Sequence, residues 1–235
     1  MQKKITKGFQ KWKNSEHAEF YRDFQTTMEF YEIKNQIGEG CFGKVYLAKQ
    51  VITNRQVALK LISKKGEENK DIIKKVHKEV RILKSINNHK NVIKLYEVFE
   101  DEGYVYLVFE FAEKGDLVQY FKNNMLFEEP NLKKFFKSIM EGIQYIHKNN
   151  VIHRDLKLDN ILLDKNINPK LCDFGISSEY KPGVAINDTG GTPAYLAPEV
   201  IKSEGNITPK SDIWSLGVML YLLGFGYVPF QSNNV

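Results

Sequence analysis

Three polar side chains in the segment 151–163 could carry out chemistry together. Asp155, Lys157 and Asn160 supply a carboxylate, an ammonium and an amide. These groups can accept a proton, neutralise a phosphate and ligate a hard cation. An ordinary polar turn uses the same residue types, but the spacing H-R-D-L-K-x-x-N is typical of a catalytic loop. We therefore interpret the segment as the catalytic part of the chain.

Short apolar runs must hold this loop in position. Val151-Ile152 and Ile161–Leu163 flank it and predict short strands on either side. A third short strand, Lys170–Cys172, leads into Asp173-Phe174-Gly175. Asp173 would then lie near Asn160 and offer a second ligand to a cation.

Apolar spacing predicts the remaining elements. It indicates strands over Val92–Phe99 and Tyr104–Phe111, and helices over 116–123 and Pro130–Lys148. The stretch Ile176–Glu199 is predicted to be a loop, and a strongly apolar helix begins at Ser211 and ends near Gly226.

A glycine-rich stretch, Ile37 to Lys44, lies between two runs of strand character. Gly38, Gly40 and Gly43 lack a β-carbon, so the backbone there could approach phosphates closely. The pattern G-x-G-x-x-G is weak alone and also fits a dinucleotide site. Here a second β-run follows rather than a helix, which disfavours the dinucleotide interpretation. A hairpin without a ligand stays open for this segment.

Lys60 and Glu79 are candidate partners. Lys60 ends the apolar strand Val57–Lys60, where an unpaired ammonium would be costly. Glu79 lies beside the apolar stripe of a helix predicted over 67–86. The alternatives are a lysine at a strand edge and a glutamate on a solvated helix face.

Composition limits the class of protein. The chain has 235 residues, 42% of them hydrophobic, which predicts a folded protein. Its net charge of +5 is mild, and the sequence shows no nucleic-acid-binding motif. Its cysteines, Cys41 and Cys172, form neither a disulfide framework nor a metal spacing. The start of the chain is not a secretory signal, and the longest apolar run, Leu216–Phe225, is too short to span a bilayer. We expect an intracellular, cytoplasmic protein, with a nuclear location left open.

Taken in order, these motifs resemble those of the eukaryotic protein kinases, from about Tyr31 to Phe230. Lys157 and Gly191-Thr192-Pro193 before Ala-Pro-Glu resemble the serine/threonine branch, with calmodulin-dependent kinases as the nearest look-alike. The resemblance implies an α+β, two-lobed fold with a β-rich N-lobe and a mainly helical C-lobe. It divides the chain into an extension (1–30), an N-lobe (31–111) and a C-lobe (112–235).

The resemblance also implies ATP and Mg²⁺ as ligands. Asp155 would orient and deprotonate the substrate hydroxyl, Lys157 would offset phosphate charge, and Asn160 and Asp173 would hold Mg²⁺. Lys60, held by Glu79, would bind the α- and β-phosphates. The residues assigned to the ATP site are Ile37, Gly38, Gly40, Gly43, Val45, Ala58, Lys60, Glu79, Glu110, Ala112, Asp116 and Leu162.

Four residues are candidates for regulation. Relatives often pair a phosphothreonine, four residues before the position of Thr192, with the arginine that precedes the catalytic aspartate. Here that position is Asp188, so we expect Asp188 to supply Arg154 with a partial counter-charge without modification. Phosphorylation of the neighbouring Thr189 is the competing hypothesis.

The expected partner is a protein substrate carrying serine or threonine. Asp116 and Asp159 occupy positions that are acidic in relatives preferring basic residues before the target. Leu222 occupies a third such position and is not acidic. The two acidic positions favour a basic-directed preference. The oligomeric state is not predicted.

Relatives continue through further C-lobe helices after the position of Phe230, and those helices supply an arginine partner for Glu199. The sequence given ends at Val235, so Glu199 is expected to lose that partner. Two hypotheses follow: an active serine/threonine kinase, or a truncated, catalytically poor kinase-like module that binds nucleotide or partners.

Overall fold

The computed structural model describes residues 28–40, 43–65, 69–124, 129–186, 190–202 and 207–230. The chain divides into two compact units. The first unit contains Met1–Asn69 and Leu95–Phe109, and the second contains Lys70–Lys94 and Glu110–Val235. The lobe boundary drawn from the sequence stays a prediction, and most of the extension lies outside the described residues.

The first unit is built on a single sheet with the strand order β1-β2-β3-β5-β4. Its strands are β1 (Tyr31–Gly40), β2 (Gly43–Gln50), β3 (Gln56–Ser63), β4 (Leu95–Glu100) and β5 (Tyr104–Glu110), whose last residue already belongs to the second unit. The pairs β1–β2, β2–β3 and β4–β5 are antiparallel. The predicted glycine hairpin and the β-rich character of this part are confirmed.

Aromatic side chains fill the core of this sheet. The ring of Phe99 stacks on Tyr31 at 5.7 Å and on Tyr106 at 4.8 Å between centroids. Both tyrosines keep their hydroxyls paired, with Glu97 and Asp101 respectively. Buried rings with satisfied polar ends hold the sheet together without leaving unpaired donors.

Helices dominate the second unit. They are α1 (Asn69–Ser85), α2 (Leu117–Asn124), α3 (Glu129–Lys148), α4 (Pro198–Ile201) and α5 (Pro209–Phe225). The apolar stripe predicted for α3 is largely buried, with Phe135, Phe136, Ile139, Ile143 and Ile146 inside. Helix α5 begins at an N-cap, Thr208, followed by proline, and ends at Gly226 with φ of 85°, as capping chemistry favours. The predicted mainly helical C-lobe is confirmed.

Short strands hold the catalytic loop from both sides. β6 (Val151–Ile152) pairs with β9 (Ser178–Glu179), and β7 (Ile161–Leu163) pairs with β8 (Pro169–Leu171). The two strands that flank the loop therefore pair with later segments rather than with each other. β9 lies in a stretch for which the sequence predicts a loop, so this short strand is not expected from the sequence.

The predicted start of β4 is wrong. A strand is predicted from Val92, but β4 begins at Leu95, and Val92 instead forms a bridge to Leu171 of β8. The apolar pattern continues from Val92 into β4, so it does not reveal that Val92 pairs with β8.

Among the described ranges, no helix combines the length and apolar character needed to cross a bilayer.

Candidate active site

The Asp155 carboxylate gathers the polar residues of the predicted catalytic loop. Its Oδ1 accepts a hydrogen bond from the Thr192 hydroxyl at 2.7 Å. Its Oδ2 accepts one from Asn160 Nδ2 at 3.0 Å and lies 3.2 Å from Lys157 Nζ. Lys157 also donates to Thr192 Oγ1 at 3.0 Å. Carboxylate, ammonium, amide and hydroxyl thus form one connected cluster.

The pKa of Asp155 lies below its ordinary value. Burial would raise the pKa, but the hydrogen bond from Thr192 and the ammonium of Lys157 outweigh that effect. The carboxylate therefore stays ionised at neutral pH and can accept hydrogen bonds there.

A buried aspartate on α5 anchors the backbone of the loop. Asp212, 1% exposed, accepts the main-chain N–H of His153 at Oδ2 and that of Arg154 at Oδ1, both at 2.9 Å. His147 Nε2, at the end of α3, lies 2.7 Å from Oδ2. His153 in turn donates from Nε2 to the carbonyl of Cys172 at 2.9 Å. The residues before Asp155 are thereby fixed to α5 and to the segment that leads into Asp173.

Asn160 and Asp173 are brought close through the backbone. The N–H of Cys172 donates to the carbonyl of Asn160 at 3.0 Å, and Asp173 follows directly. Asp173 has φ of 59°, and its Oδ1 accepts the N–H of Gly175 at 3.4 Å. The amide nitrogen of Asn160 also donates to the carbonyl of Asp155 at 2.7 Å. With the nitrogen so committed, Asn160 Oδ1 is the atom left to accept or to ligate.

Arg154 is buried at 6% exposure and points to the segment after Asp173. Its Nη1 donates to the carbonyl of Ile176 at 2.9 Å and to Ser178 Oγ at 3.0 Å. Lys78 of α1 donates to the same hydroxyl at 3.3 Å. The predicted partners Asp188 and Thr189 lie outside the described residues.

The other predicted site residues of the second unit lie at strand and helix ends. Glu110 ends β5, and Ala112 is buried two residues later. Asp116 forms a bridge with Leu162 of β7 and caps α2 by accepting a main-chain N–H at 2.8 Å. Glu79 of α1 is buried at 2% exposure.

In the first unit, β2 and β3 carry three predicted residues on one face. Val45 and Lys60 are antiparallel partners, and Ala58 lies two residues before Lys60 on the same strand, so all three side chains share a face. Lys60 is buried at 8% exposure. Its predicted pairing with Glu79 stays a prediction.

Gly43 and Gly38 of the hairpin differ in whether the surrounding atoms leave room for a side chain. A Cβ at Gly43 would lie 2.0 Å from the carbonyl oxygen of Leu61, so the sheet itself requires glycine there. Among the described residues, a Cβ at Gly38 would meet Val45 Cβ alone, at 3.9 Å, an ordinary contact. Within the described residues nothing about packing demands glycine at 38, which favours a ligand that approaches the backbone. Ile37 is exposed beside it, and Gly40 pairs with Gly43 in the hairpin.

Comparison with known protein families matches residues 31–235 to the protein kinase domain. The chain belongs to this family. It is 40% identical over 206 residues to the serine/threonine-protein kinase SIK1 of Rattus norvegicus and 39% identical to SIK1 of Mus musculus. It is also 40% identical to the serine/threonine-protein kinase SIK2 of Gallus gallus. Each match covers 88% of this chain and 26% of the relative, so the chain spans about a quarter of the length of these relatives.

Kinase-domain family members use ATP and Mg²⁺, and the oxygen atoms of this site fit that metal. Mg²⁺ prefers oxygen ligands and is usually held by one or two protein groups together with phosphates and water. Asn160 Oδ1 and the Asp173 carboxylate would supply such a partial set. Among the described residues, no group of three or more histidine, cysteine, aspartate or glutamate side chains could hold a metal ion.

Sequence patterns do not identify several residues around the site. His147, Ser178 and Lys170 each bond to a residue of the site or to its anchors. Glu199, expected to lose its partner, accepts a hydrogen bond from the Ser211 hydroxyl at 3.1 Å. These contacts join residues far apart in the chain, and no local spacing indicates them.

Proposed function

We propose that this chain has serine/threonine protein kinase activity, in which the γ-phosphate of ATP passes to a protein hydroxyl. The Asp155 carboxylate supports this most directly. Three donors from the described residues occupy it, one on Oδ1 and two on Oδ2. An ionised carboxylate offers about four acceptor positions, so one on Oδ1 is left for a substrate hydroxyl.

The low pKa of Asp155 makes it a weak base, so its main contribution is to orient the hydroxyl. It then takes the proton as the new phosphate ester forms. Lys157 supplies a positive charge next to the attacking oxygen, because its ammonium already lies at Asp155 and Thr192. Phosphoryl transfer depends chiefly on such positioning and charge stabilisation.

ATP brings the reacting phosphoryl group, and Mg²⁺ neutralises charge on it. Asn160 Oδ1 and the Asp173 carboxylate would hold the metal. Lys60 and the backbone at Gly38 would hold phosphates, for which the buried ammonium and the open space at the glycine are the support.

Transfer of labelled phosphate from ATP to a serine peptide tests the proposal. Asp155→Asn is expected to lose about 10²–10⁴-fold in rate, as for removal of a positioned acid–base group. Asp71→Asn changes an exposed acid that pairs with Lys74; it is the matched control and keeps full rate. Equal rates for the parent chain and Asp155→Asn would refute the proposal. Nucleotide binding without any transfer would instead identify a kinase-like binding module.

We further propose a basic-directed substrate preference. Asp159 is exposed next to the catalytic loop and Asp116 is half-buried at the start of α2. Comparing kcat/KM for peptides with arginine or alanine before the serine tests this, and Asp159→Asn should reduce the preference for arginine. An unchanged ratio would contradict it. A cytoplasmic location is proposed from the cysteine usage.

For regulation, we propose that Asp188 supplies Arg154 with a counter-charge without phosphorylation. The support is the burial of Arg154 and its bonds to the segment that leads towards Asp188. Phosphopeptide mapping together with Asp188→Asn tests this. Activity with unmodified Thr189 that is lost in Asp188→Asn agrees with the proposal, and activity only after phosphorylation of Thr189 contradicts it.

A further inference from the structure

Lys170 on β8 is a buried lysine outside the predicted site. It is 8% exposed, and a buried ammonium needs an anionic or carbonyl partner. Its Nζ lies 2.6 Å from Glu110 Oε1 and donates to the carbonyl of Lys90 at 3.1 Å. The lysine thus joins β8 to the loop before β4 and to the end of β5.

Glu110 is held by its side chain and by its backbone. Its Oε2 accepts the N–H of Lys94 at 3.3 Å, and its own N–H donates to the carbonyl of Lys94 at 2.8 Å. These two bonds to Lys94, together with the ammonium of Lys170, fix both the side chain and the backbone of Glu110. Glu110 directly precedes Phe111-Ala112, and the resemblance to protein kinases implies that backbone groups of Glu110 and Ala112 hydrogen-bond the adenine edge.

The base of this arrangement is itself tightly bound. Leu171 donates to the carbonyl of Asn91 at 2.8 Å, and Ile93 donates to the carbonyl of Leu171 at 2.9 Å. Asn91 Nδ2 donates to the carbonyl of Pro169 at 2.8 Å. A Cβ at Gly142 of α3 would lie 3.1 Å from the carbonyl oxygen of Asn91, so the helix packs directly on this segment. These contacts therefore fix the backbone of the strand that carries Lys170.

We propose that Lys170 is a positioning residue for nucleotide recognition: through the Glu110 carboxylate it sets the backbone of residues 110–112 that reads the adenine edge. This rests on the proposed function. The pair is shielded from water, with side-chain exposures of 11% and 22%, so solvent screens it little. An exposed pair such as Lys90–Glu141, at 72% and 37%, is by contrast expected to have little effect.

Binding of two nucleotides separates positioning from general destabilisation. ADP presents adenine, with an amino donor and a ring-nitrogen acceptor. Inosine diphosphate presents a carbonyl acceptor and an N–H donor at the same edge, so it cannot make the same backbone bonds. Its affinity reports the ribose and phosphate contacts alone. The ratio of the two dissociation constants therefore measures how well the backbone reads the base.

The experiment is calorimetric titration of the chain with Mg²⁺ and each nucleotide. Lys170→Met is expected to weaken ADP binding about tenfold, the effect of one well-placed hydrogen bond, and to leave inosine diphosphate unchanged. Glu110→Gln should give the same change, and the double variant should lose no more than either single one. Lys64→Met is the matched control, because Lys64 also contacts a carboxylate (Glu100, 3.1 Å) and a main-chain carbonyl (Asp101, 2.9 Å). It should keep both affinities.

Three results would overturn the inference. Unchanged ADP affinity in Lys170→Met is one. An equal loss for both nucleotides is another, because it indicates a purely structural effect. A full additive loss in the double variant is the third. If Lys170→Met does not fold by circular dichroism, Glu110→Gln carries the test. No binding of either nucleotide by the parent chain refutes the proposed function itself, and the inference with it.

Discussion

Replacing Asp212 should detach the catalytic loop from α5. The carboxylate is 1% exposed and accepts main-chain N–H groups from His153 and Arg154 at 2.9 Å, with His147 at 2.7 Å. Asp212→Ala leaves both N–H groups buried without an acceptor. Since a bond to a charged group contributes about 1.5–3 kcal/mol, the expected loss is roughly 3–6 kcal/mol. That is a large part of the ~5–15 kcal/mol of a typical domain.

Asp212→Asn should have an intermediate effect. An amide has one oxygen where the carboxylate has two, and those two oxygens serve different N–H groups. Whichever way the amide turns, its NH₂ faces one main-chain N–H. The asparagine variant therefore loses one of the two bonds and about 1.5–3 kcal/mol. Its kcat should fall as well, because Arg154 directly precedes Asp155.

Urea denaturation followed by circular dichroism measures the free energy of unfolding of each variant. Asp71→Asn is the control, since the Asp71 side chain is 80% exposed and pairs with the similarly exposed Lys74. The stability of this variant should match that of the parent chain. A loss below about 1 kcal/mol for Asp212→Ala, or equal losses for the alanine and asparagine variants, would refute the reasoning.

Four further substitutions test the surroundings of single residues. Thr192→Val removes a hydrogen bond that lowers the pKa of Asp155, so that pKa should rise. A carboxylate with a lowered folded pKa contributes stability above its unfolded pKa, and this contribution is lost as pH falls through the folded pKa. In Thr192→Val the loss should therefore occur at a higher pH, when the free energy of unfolding is measured in an acid titration. Gly191→Ala should destabilise by about 1–3 kcal/mol, because φ is 137° and a Cβ would lie 2.6 Å from a leucine carbon. At Gly217 an added Cβ would meet no atom of the described residues within 4 Å, so Gly217→Ala should stabilise α5 by ~0.5–1 kcal/mol. Thermal unfolding compares the Gly191 and Gly217 variants. Ser211→Ala should cost about 1 kcal/mol in urea titration by removing a donor to a carboxylate.

Local patterns predict most of the elements around the site. The apolar spacing of α3 and the glycine after α5 agree with the structure to within a residue or so. Helix periodicity and capping depend on neighbours a few residues away, so they are readable from a short window. The glycine hairpin and the runs beside the catalytic loop are predictable for the same reason.

Pairing between short strands is not predictable in this way. β9 has two residues, Ser178 and Glu179, without an apolar pattern, and it is a strand only because β6 lies next to it. The start of β4 was misplaced because Val92 belongs to a bridge with β8. Such contacts join segments tens of residues apart, and their register depends on the rest of the fold.

The sequence by itself determined the family and which residues are proposed as the reacting groups. Asp155, Lys157, Asn160 and Asp173 have the residue types and the order that phosphoryl transfer needs, and these are properties of the chain. Only the tertiary structure decided what holds them. The Asp212 carboxylate accepts N–H groups from about sixty residues earlier, and Lys170 fixes the position of Glu110. Folding creates such bonds because buried polar groups must find partners, wherever in the chain those partners lie.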